Sequence, residues 1–309
     1  MIDLEQACHT AITDSLGKHA ECVEPAGHQR WRFKLNGGAN LDGVVQREND
    51  WLLFEAPLGR GGRQLTARRL GQMLRDNAGL AGGAKCGLGE DPRQVTLSAE
   101  IPWDADAEGD LGGRIGQVCA GFRQAAHRYA EGKARAADPQ ANDEPADEPA
   151  DDHPADPAAA GPATDLDLAG LCEQAGWPYT RRANGQVTVP LEIRDAFHQA
   201  LHSREGAVNR LSIPLAHPPS GRRTCRKAIE VLLLSACRLV RMARAVASAA
   251  DGGPEYRWEV ALGEEPGPEE LRHALSALSV ACRLTAREVQ ALEEEHLAEE
   301  YLRVRGIVS

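Results

Sequence analysis

Apolar residues recur at every fourth position at the start of the chain, at Leu4, Cys8, Ile12 and Leu16. This spacing predicts a helix, with Asp3 as its cap and Gly17 just past its end. The period then falls to two. Residues 31–35 (Trp-Arg-Phe-Lys-Leu) alternate cleanly and predict a strand. Further strands are expected over residues 40–47, after Asn36-Gly37-Gly38, and over 51–56, after Asn49-Asp50. A second helix is expected over 64–77, followed by a hairpin of residues 84–89 and 94–101 that turns at Glu90-Asp91-Pro92. The last helix carries Leu111, Ile115, Val118, Phe122, Ala125 and Tyr129 on one face and is expected to end near Gly132. The order is α-β-β-β-α-β-β-α, which predicts an α+β domain with helices against a mostly antiparallel sheet.

The same pattern then runs a second time. Residues 16–35 lie against 172–191 without a gap, and the offset stays between 156 and 161 residues to the end of the unit. Phe54, Ala56 and Leu58 fall on Leu211, Ile213 and Leu215. Leu97, Ala99 and Ile101 fall on Trp258, Val260 and Leu262, and Leu111, Ile115, Val118 and Phe122 fall on Leu271, Leu275, Leu278 and Cys282. A near-constant offset over a whole domain marks an internal duplication.

Between the copies the pattern vanishes. Residues 133–164 consist mainly of Ala, Asp, Glu and Pro, a composition that cannot bury enough apolar surface to offset the entropy of ordering. The expected organisation is a first copy over 1–132, a disordered acidic linker over 133–164 and a second copy over 165–309. The linker changes how the net charge of −11 is understood: residues 133–167 hold ten acidic and two basic groups, so most of the acidity lies outside the folded parts. Within the second copy the charge is polarised. Residues 181–244 carry twelve Lys/Arg against four Asp/Glu, and residues 245–309 carry six against thirteen. The simplest expectation is mutual neutralisation across the fold.

The element order, the domain length, the strand ends Ala56-Pro57-Leu58 and Ile213-Pro214-Leu215 and the closing amphipathic helix resemble the type III secretion chaperone-like fold. That group includes the Tir-chaperone and YbjN-like families. The resemblance covers both halves and excludes the linker. It implies a dimer-forming domain that binds an extended segment of a client protein, such as a secreted effector, without a cofactor. Two fused copies imply a chain that is its own monomeric pseudo-dimer, or a homodimer using the same surface.

Little in the sequence points to catalysis, and the chain is expected not to be an enzyme. None of the eight cysteines forms a Cys-x-x-Cys pair, no Cys/His cluster has zinc spacing, and a reducing cytoplasmic setting without disulfides is expected. No apolar run spans a membrane and no secretory leader is legible. Arg60 and Arg63, before the second helix, and Arg222 and Arg223, at the matching place in the repeat, are the candidate anion-binding residues, because a helix N-terminus favours anions and Arg forks onto phosphate or carboxylate. Both loops also read as a turn with a helix cap, and neither ends in the Gly-Lys-Ser/Thr of a phosphate loop. His198 and His202 are four apart but fall on an expected strand, where they are too far apart to share one ion. Glu293 and His296 make a single helical Glu-x-x-His, and no metal site is expected. The basic 181–244 region is the basis of a second reading, an anion- or nucleic-acid-binding regulatory module. It has no aromatic residue between 198 and 255 on which bases could stack, so nucleic acid is disfavoured as a partner.

Two expectations concern how the copies meet. Residues 228–237 (Ala-Ile-Glu-Val-Leu-Leu-Leu-Ser-Ala-Cys) are apolar nearly all round, so this helix should be buried on two sides. Its natural neighbour is the first copy's second helix, which makes Leu70, Met73, Leu74, Ile229, Leu233 and Leu234 the candidate domain–domain interface. The last helix of the second copy opens at Gly267-Pro268-Glu269-Glu270; if it runs to Arg303 it outreaches one small domain and is expected to reach across to the first domain or a partner, the other reading being a frayed, solvated end.

Overall fold

The computed structural model describes residues 4–35, 40–60, 66–103, 111–137, 166–182, 186–194, 196–205, 208–216, 222–250 and 253–307. The first half contains α1 (Leu4–Gly17), β1 (Cys22–Gly27), β2 (Arg30–Leu35), β3 (Leu41–Glu48), β4 (Trp51–Arg60), α2 (Ala67–Ala78), β5 (Lys85–Leu88), β6 (Gln94–Pro102) and α3 (Leu111–Ala137). The second contains α4 (Leu168–Ala175), β7 (Thr180–Arg181), β8 (Val187–Ile193), β9 (Ala196–Glu205), β10 (Val208–Ala216), α5 (Arg223–Cys237), β11 (Arg244–Ala250), β12 (Gly253–Leu262), α6 (Pro268–Ala291) and α7 (Glu295–Val304). The architecture is α+β, with two antiparallel six-stranded sheets.

The strand orders are β1-β2-β3-β4-β6-β5 and β7-β8-β9-β10-β12-β11, the same path twice. The likeness extends to irregularities. The β4–β6 ladder slips between Pro57 and Gly59, and the β10–β12 ladder slips between Pro214 and Ala216. Proline cannot donate to a ladder, so it sits where pairing is interrupted. After the second helix, Gly82 (φ 62°) and Met242 (φ 59°) hold the same left-handed backbone in the two copies.

In the first half, α1 and α3 cover one face of the sheet. Ile12, Leu16, Ile115 and Phe122 are buried there with Phe33 and Phe54. The Phe33 ring stands 6.4 Å from both Phe54 and Phe122. It also lies over Gly43, where an added Cβ would come within 2.3 Å of its Cζ atom. In the second half, α4 and α6 play the same part. Thr285 interrupts the apolar stripe of α6 because its Oγ1 accepts a 2.9 Å hydrogen bond from the buried Trp258 Nε1.

Three sequence expectations need correction. Each half has one more strand before the expected first one, so the order is α-β-β-β-β-α-β-β-α. The added strand is β1 in the first half and the two-residue β7 in the second. β1 escapes pattern reading because it is an edge strand without apolar alternation and carries Pro25, which edges tolerate. Helix α3 passes Gly132 and continues to Ala137. The C-terminal helix is not continuous: it ends at Ala291 and restarts at Glu295, and α7 packs on α5 of its own half. The break frees the Glu293 carbonyl, which accepts from Arg222 Nη1 at 2.7 Å and from the Cys225 thiol at 3.4 Å. A helix interruption is tolerated where its released carbonyls find such donors.

Candidate functional site: the seam between the halves

Each second helix lies on the other copy's edge strand. Helix α2 packs on β11, α5 packs on β5, and α2 and α5 pack on each other. Leu70, Met73 and Leu74 on α2 and Ile229, Leu233 and Leu234 on α5 are all buried. Gly71 on α2 faces Glu230 on α5. A Cβ there would stand 2.8 Å from Glu230 Oε1. The seam is therefore arranged about an approximate twofold axis, like a C2 interface between subunits.

Buried polar groups follow the same symmetry. Lys85 opens β5 and Arg244 opens β11, and both are almost fully buried. Lys85 Nζ donates to the carbonyls of Val240 and, at 3.2 Å, Ala243. Arg244 donates to the carbonyls of Leu80 at 2.9 Å and Ala78 at 3.1 Å. Arg244 thus satisfies carbonyls at the end of α2, where a helix leaves acceptors unpaired and its dipole favours positive charge, and Lys85 satisfies carbonyls of the loop that follows α5.

Each cation also has a carboxylate on the open face of its own sheet. Lys85 lies 3.0 Å from Glu100, which also accepts from the Met242 backbone N–H at 3.1 Å. Arg244 lies 2.9 Å from Glu259, which Arg210 and Arg257 also contact. Burial alone would raise the Glu259 carboxyl, but Arg244 and Arg210 hold it below its ordinary value. Arg210 Nη1 donates in turn to the Ala78 carbonyl at 2.8 Å. Asn77 closes the seam, donating to the carbonyls of Cys86 and Ala245 at 3.2 and 3.1 Å and accepting from the Cys86 N–H at 2.7 Å. Its counterpart is Cys237, whose sulfur accepts from the Ala245 N–H.

Glu230 is the odd member. Its Oε1 accepts from Arg226 at 3.1 Å and from the Tyr256 hydroxyl at 2.8 Å, while Oε2 is buried without a protein partner. Burial raises its carboxyl above the ordinary value, against the pull of Arg226 and Tyr256.

Around the rim the two loops after the second helices differ in charge. The 238–243 loop carries Arg238, 3.7 Å from Glu55 and 3.5 Å from Glu90, and Arg241, 3.0 Å from Glu48 and stacked on the Trp51 ring. The 79–84 loop carries no charge and offers carbonyls. Outside the seam, β1, β2 and β3 leave an open concavity of about 430 Å³, lined by Cys22, Glu24, Arg32, Lys34, Asp42 and Val44. It lies beside the free edge strand β1.

The remaining candidates fare differently. Arg60 ends β4, Arg63 lies outside the described residues, and Arg223 is exposed at the first turn of α5. Arg222 is engaged by the Glu293 carbonyl. His198 and His202 both lie on β9, and His202 pairs with Asn209. Glu293 falls in the break before α7 while His296 is exposed on it, so the two do not share a helix. No cluster of three or more potential metal ligands occurs among the described residues. Burial pushes the thiols of Cys119, Cys172 and Cys237 up to about 11 and that of Cys282 up to about 12, the opposite of nucleophile activation. No described helix is long and apolar enough to cross a membrane. Sequence reasoning missed Lys85, Arg244, Asn77, Glu100, Glu230 and Glu259. Charged residues within otherwise apolar segments were the available signal. No family model, no curated protein and no solved structure matches the chain.

Proposed function

We propose that the protein is a non-catalytic protein-binding chaperone or adaptor, a fused pseudo-dimer that holds an extended segment of a client protein. The observation that carries this reading is the seam. Two copies of one domain meet about an approximate twofold axis through α2 and α5, and the outer part of the first sheet stays open beside a free edge. Extended segments add to such edges through main-chain hydrogen bonds, while side chains on the neighbouring face select the sequence. The resemblance to type III secretion chaperone-like domains points the same way.

The reading of an anion- or nucleic-acid-binding module is weaker. Of the cations in 181–244, Arg210, Arg226, Arg238, Arg241 and Arg244 are paired with carboxylates, and Arg222 is held by a carbonyl. Their charge is spent within the fold.

The test is capture from native lysate with a nuclease-treated control, followed by titration of the recovered client's segment as a synthetic peptide. A 1:1 complex that survives nuclease and weakens on Arg32→Glu or Val44→Asp supports the proposal. Recovery that disappears with nuclease, or peptide binding indifferent to both substitutions, overturns it.

A further inference from the structure

The two halves are alike in path but not in the chemistry of the seam, and the differences are reciprocal. Counting from landmarks shared by both copies, Gly71 corresponds to Val231, Ala78 to Arg238, Leu80 to Val240 and Ala81 to Arg241. On the open faces, Leu53 corresponds to Arg210, Glu55 to Ser212, Ser98 to Glu259 and Lys85 to Arg244. The cationic loop of the second half rests on the acidic face of the first, near Glu48, Glu55, Glu90 and Glu100. The uncharged loop of the first half rests its carbonyls on the cationic face of the second, at Arg210 and Arg244.

We propose that the seam is a heterotypic docking surface: a first half accepts a second half, and neither accepts another copy of itself. In a pair of second halves, Arg238 and Arg241 would face Arg210 and Arg244, and Val231 would take the place of Gly71 against Glu230. A Cβ alone at Gly71 lies 2.8 Å from Glu230 Oε1, so the valine is seated only if that carboxylate leaves the position where Arg226 and Tyr256 hold it. In a pair of first halves, Lys85 would still meet the carbonyl of residue 80, but Leu53 would stand where Arg210 donates to the carbonyl of residue 78, and Glu48, Glu55 and Glu90 would lose the arginines that face them. The wrong pairings carry repulsion and unpaired acceptors, which is how specificity between similar surfaces is built. The partner that fits the surface of each half is therefore the unlike half, and the occupant in this structure is the other half of the same chain.

The experiment uses the full chain with a protease site inserted between residues 150 and 151, cleaved after purification and read by native mass spectrometry. Unlike fragments in 1:1 pairs are the expected species. Pairs of like fragments, or unlike fragments that do not pair, overturn the proposal. Arg238→Glu with Arg241→Glu is expected to weaken the pairing of the cut fragments by about tenfold or more at low salt. Adding Glu48→Arg and Glu55→Arg should restore it. Gly71→Val is the steric counterpart: valine is a better helix former than glycine, so α2 keeps its helicity by circular dichroism while displacement of the Glu230 carboxylate weakens the pairing of the fragments. Pairing unchanged in both the charge-reversed and the Gly71→Val chains overturns the proposal.

Discussion

Lys85 and Arg244 stand at the same place in the two copies, and each reaches across the seam to carbonyls of the segment that leaves the other copy's second helix: Arg244 to the end of α2, Lys85 to the loop after α5. One strand residue in each half therefore reads the chain leaving the other half's second helix. This reciprocal contact makes the duplicated chain behave as a dimer of its own halves. It also puts two buried cations where a simple apolar interface would have sufficed.

Removing either cation should be costly. Arg244→Met leaves Glu259 with less positive charge around it and the Ala78 and Leu80 carbonyls short of a donor. Breaking a buried pair in this way costs about 3–5 kcal/mol. Lys85→Met should cost at least as much, because Glu100 then keeps the neutral Met242 N–H in place of a cation, whereas Glu259 keeps Arg210 and Arg257. Urea denaturation of both variants checks the order; a loss of under about 1 kcal/mol for Arg244→Met, the size expected of an exposed pair, would refute the account of the seam.

Glu230 and Glu259 should give the stability opposite dependences on pH. Burial raises the Glu230 carboxyl, so the folded chain holds that proton more tightly than the unfolded chain. Its contribution is complete below the ordinary carboxyl value, about 4.3, and is lost as pH rises through the raised folded value. Glu259 is held low by Arg244 and Arg210, against burial. Its contribution is present above about 4.3 and is lost as pH falls through the lowered value. Glu230→Gln removes only the first of these. The stability of Glu230→Gln relative to the natural chain should therefore rise as pH is raised from about 4 to about 7. A difference that stays constant over that range would contradict the assignment.

The duplication, the class and most of the elements were legible because they rest on periodicity. Phe33, Phe54 and Ile115 announce which face is inward without reference to anything distant. The missed strand β1 has no such signature, since its exposed edge residues alternate with nothing. The break at Leu292–Glu294 was illegible for another reason: it contains neither glycine nor proline, and its stability comes from Arg222 and Cys225, some seventy residues away. The polar seam was hidden in the same way. Lys85 reads as a stray charge in an apolar strand until Arg244 is recognised as its counterpart in the repeat.

A tightly packed aromatic gives a local test of the first half. Gly43 is buried and needs no special backbone conformation; its role is to leave room for the Phe33 ring. Gly43→Ala should cost about 1–3 kcal/mol, the usual penalty of overpacking, although alanine is no worse than glycine in a strand. Adding Phe33→Leu should recover part of the loss in thermal denaturation. Equal melting temperatures for Gly43→Ala and the natural chain would show that the ring can step aside.

Helix α7 explains why α5 is apolar on nearly every side while α2 is not. Both second helices pack on the seam, but α7 covers a further face of α5, burying Ala298, Leu302 and Ile307. Arg305 fastens its end by donating to Ser235 Oγ at 2.7 Å. On α2, Arg68 and Gln72 are exposed. If α7 is the cover that α5 needs, Leu302→Ala should destabilise the chain by about 2–5 kcal/mol, as a buried leucine does elsewhere. Ending the chain after Glu294 should destabilise it further and expose the α5 face, giving binding of an apolar dye and self-association. The Arg222 and Cys225 contacts to the Glu293 carbonyl would remain, so the end of α6 should stay in place. A truncated chain that melts as the natural one does and stays monomeric would mean that α5 is covered by the seam alone, and the role given to α7 would fall.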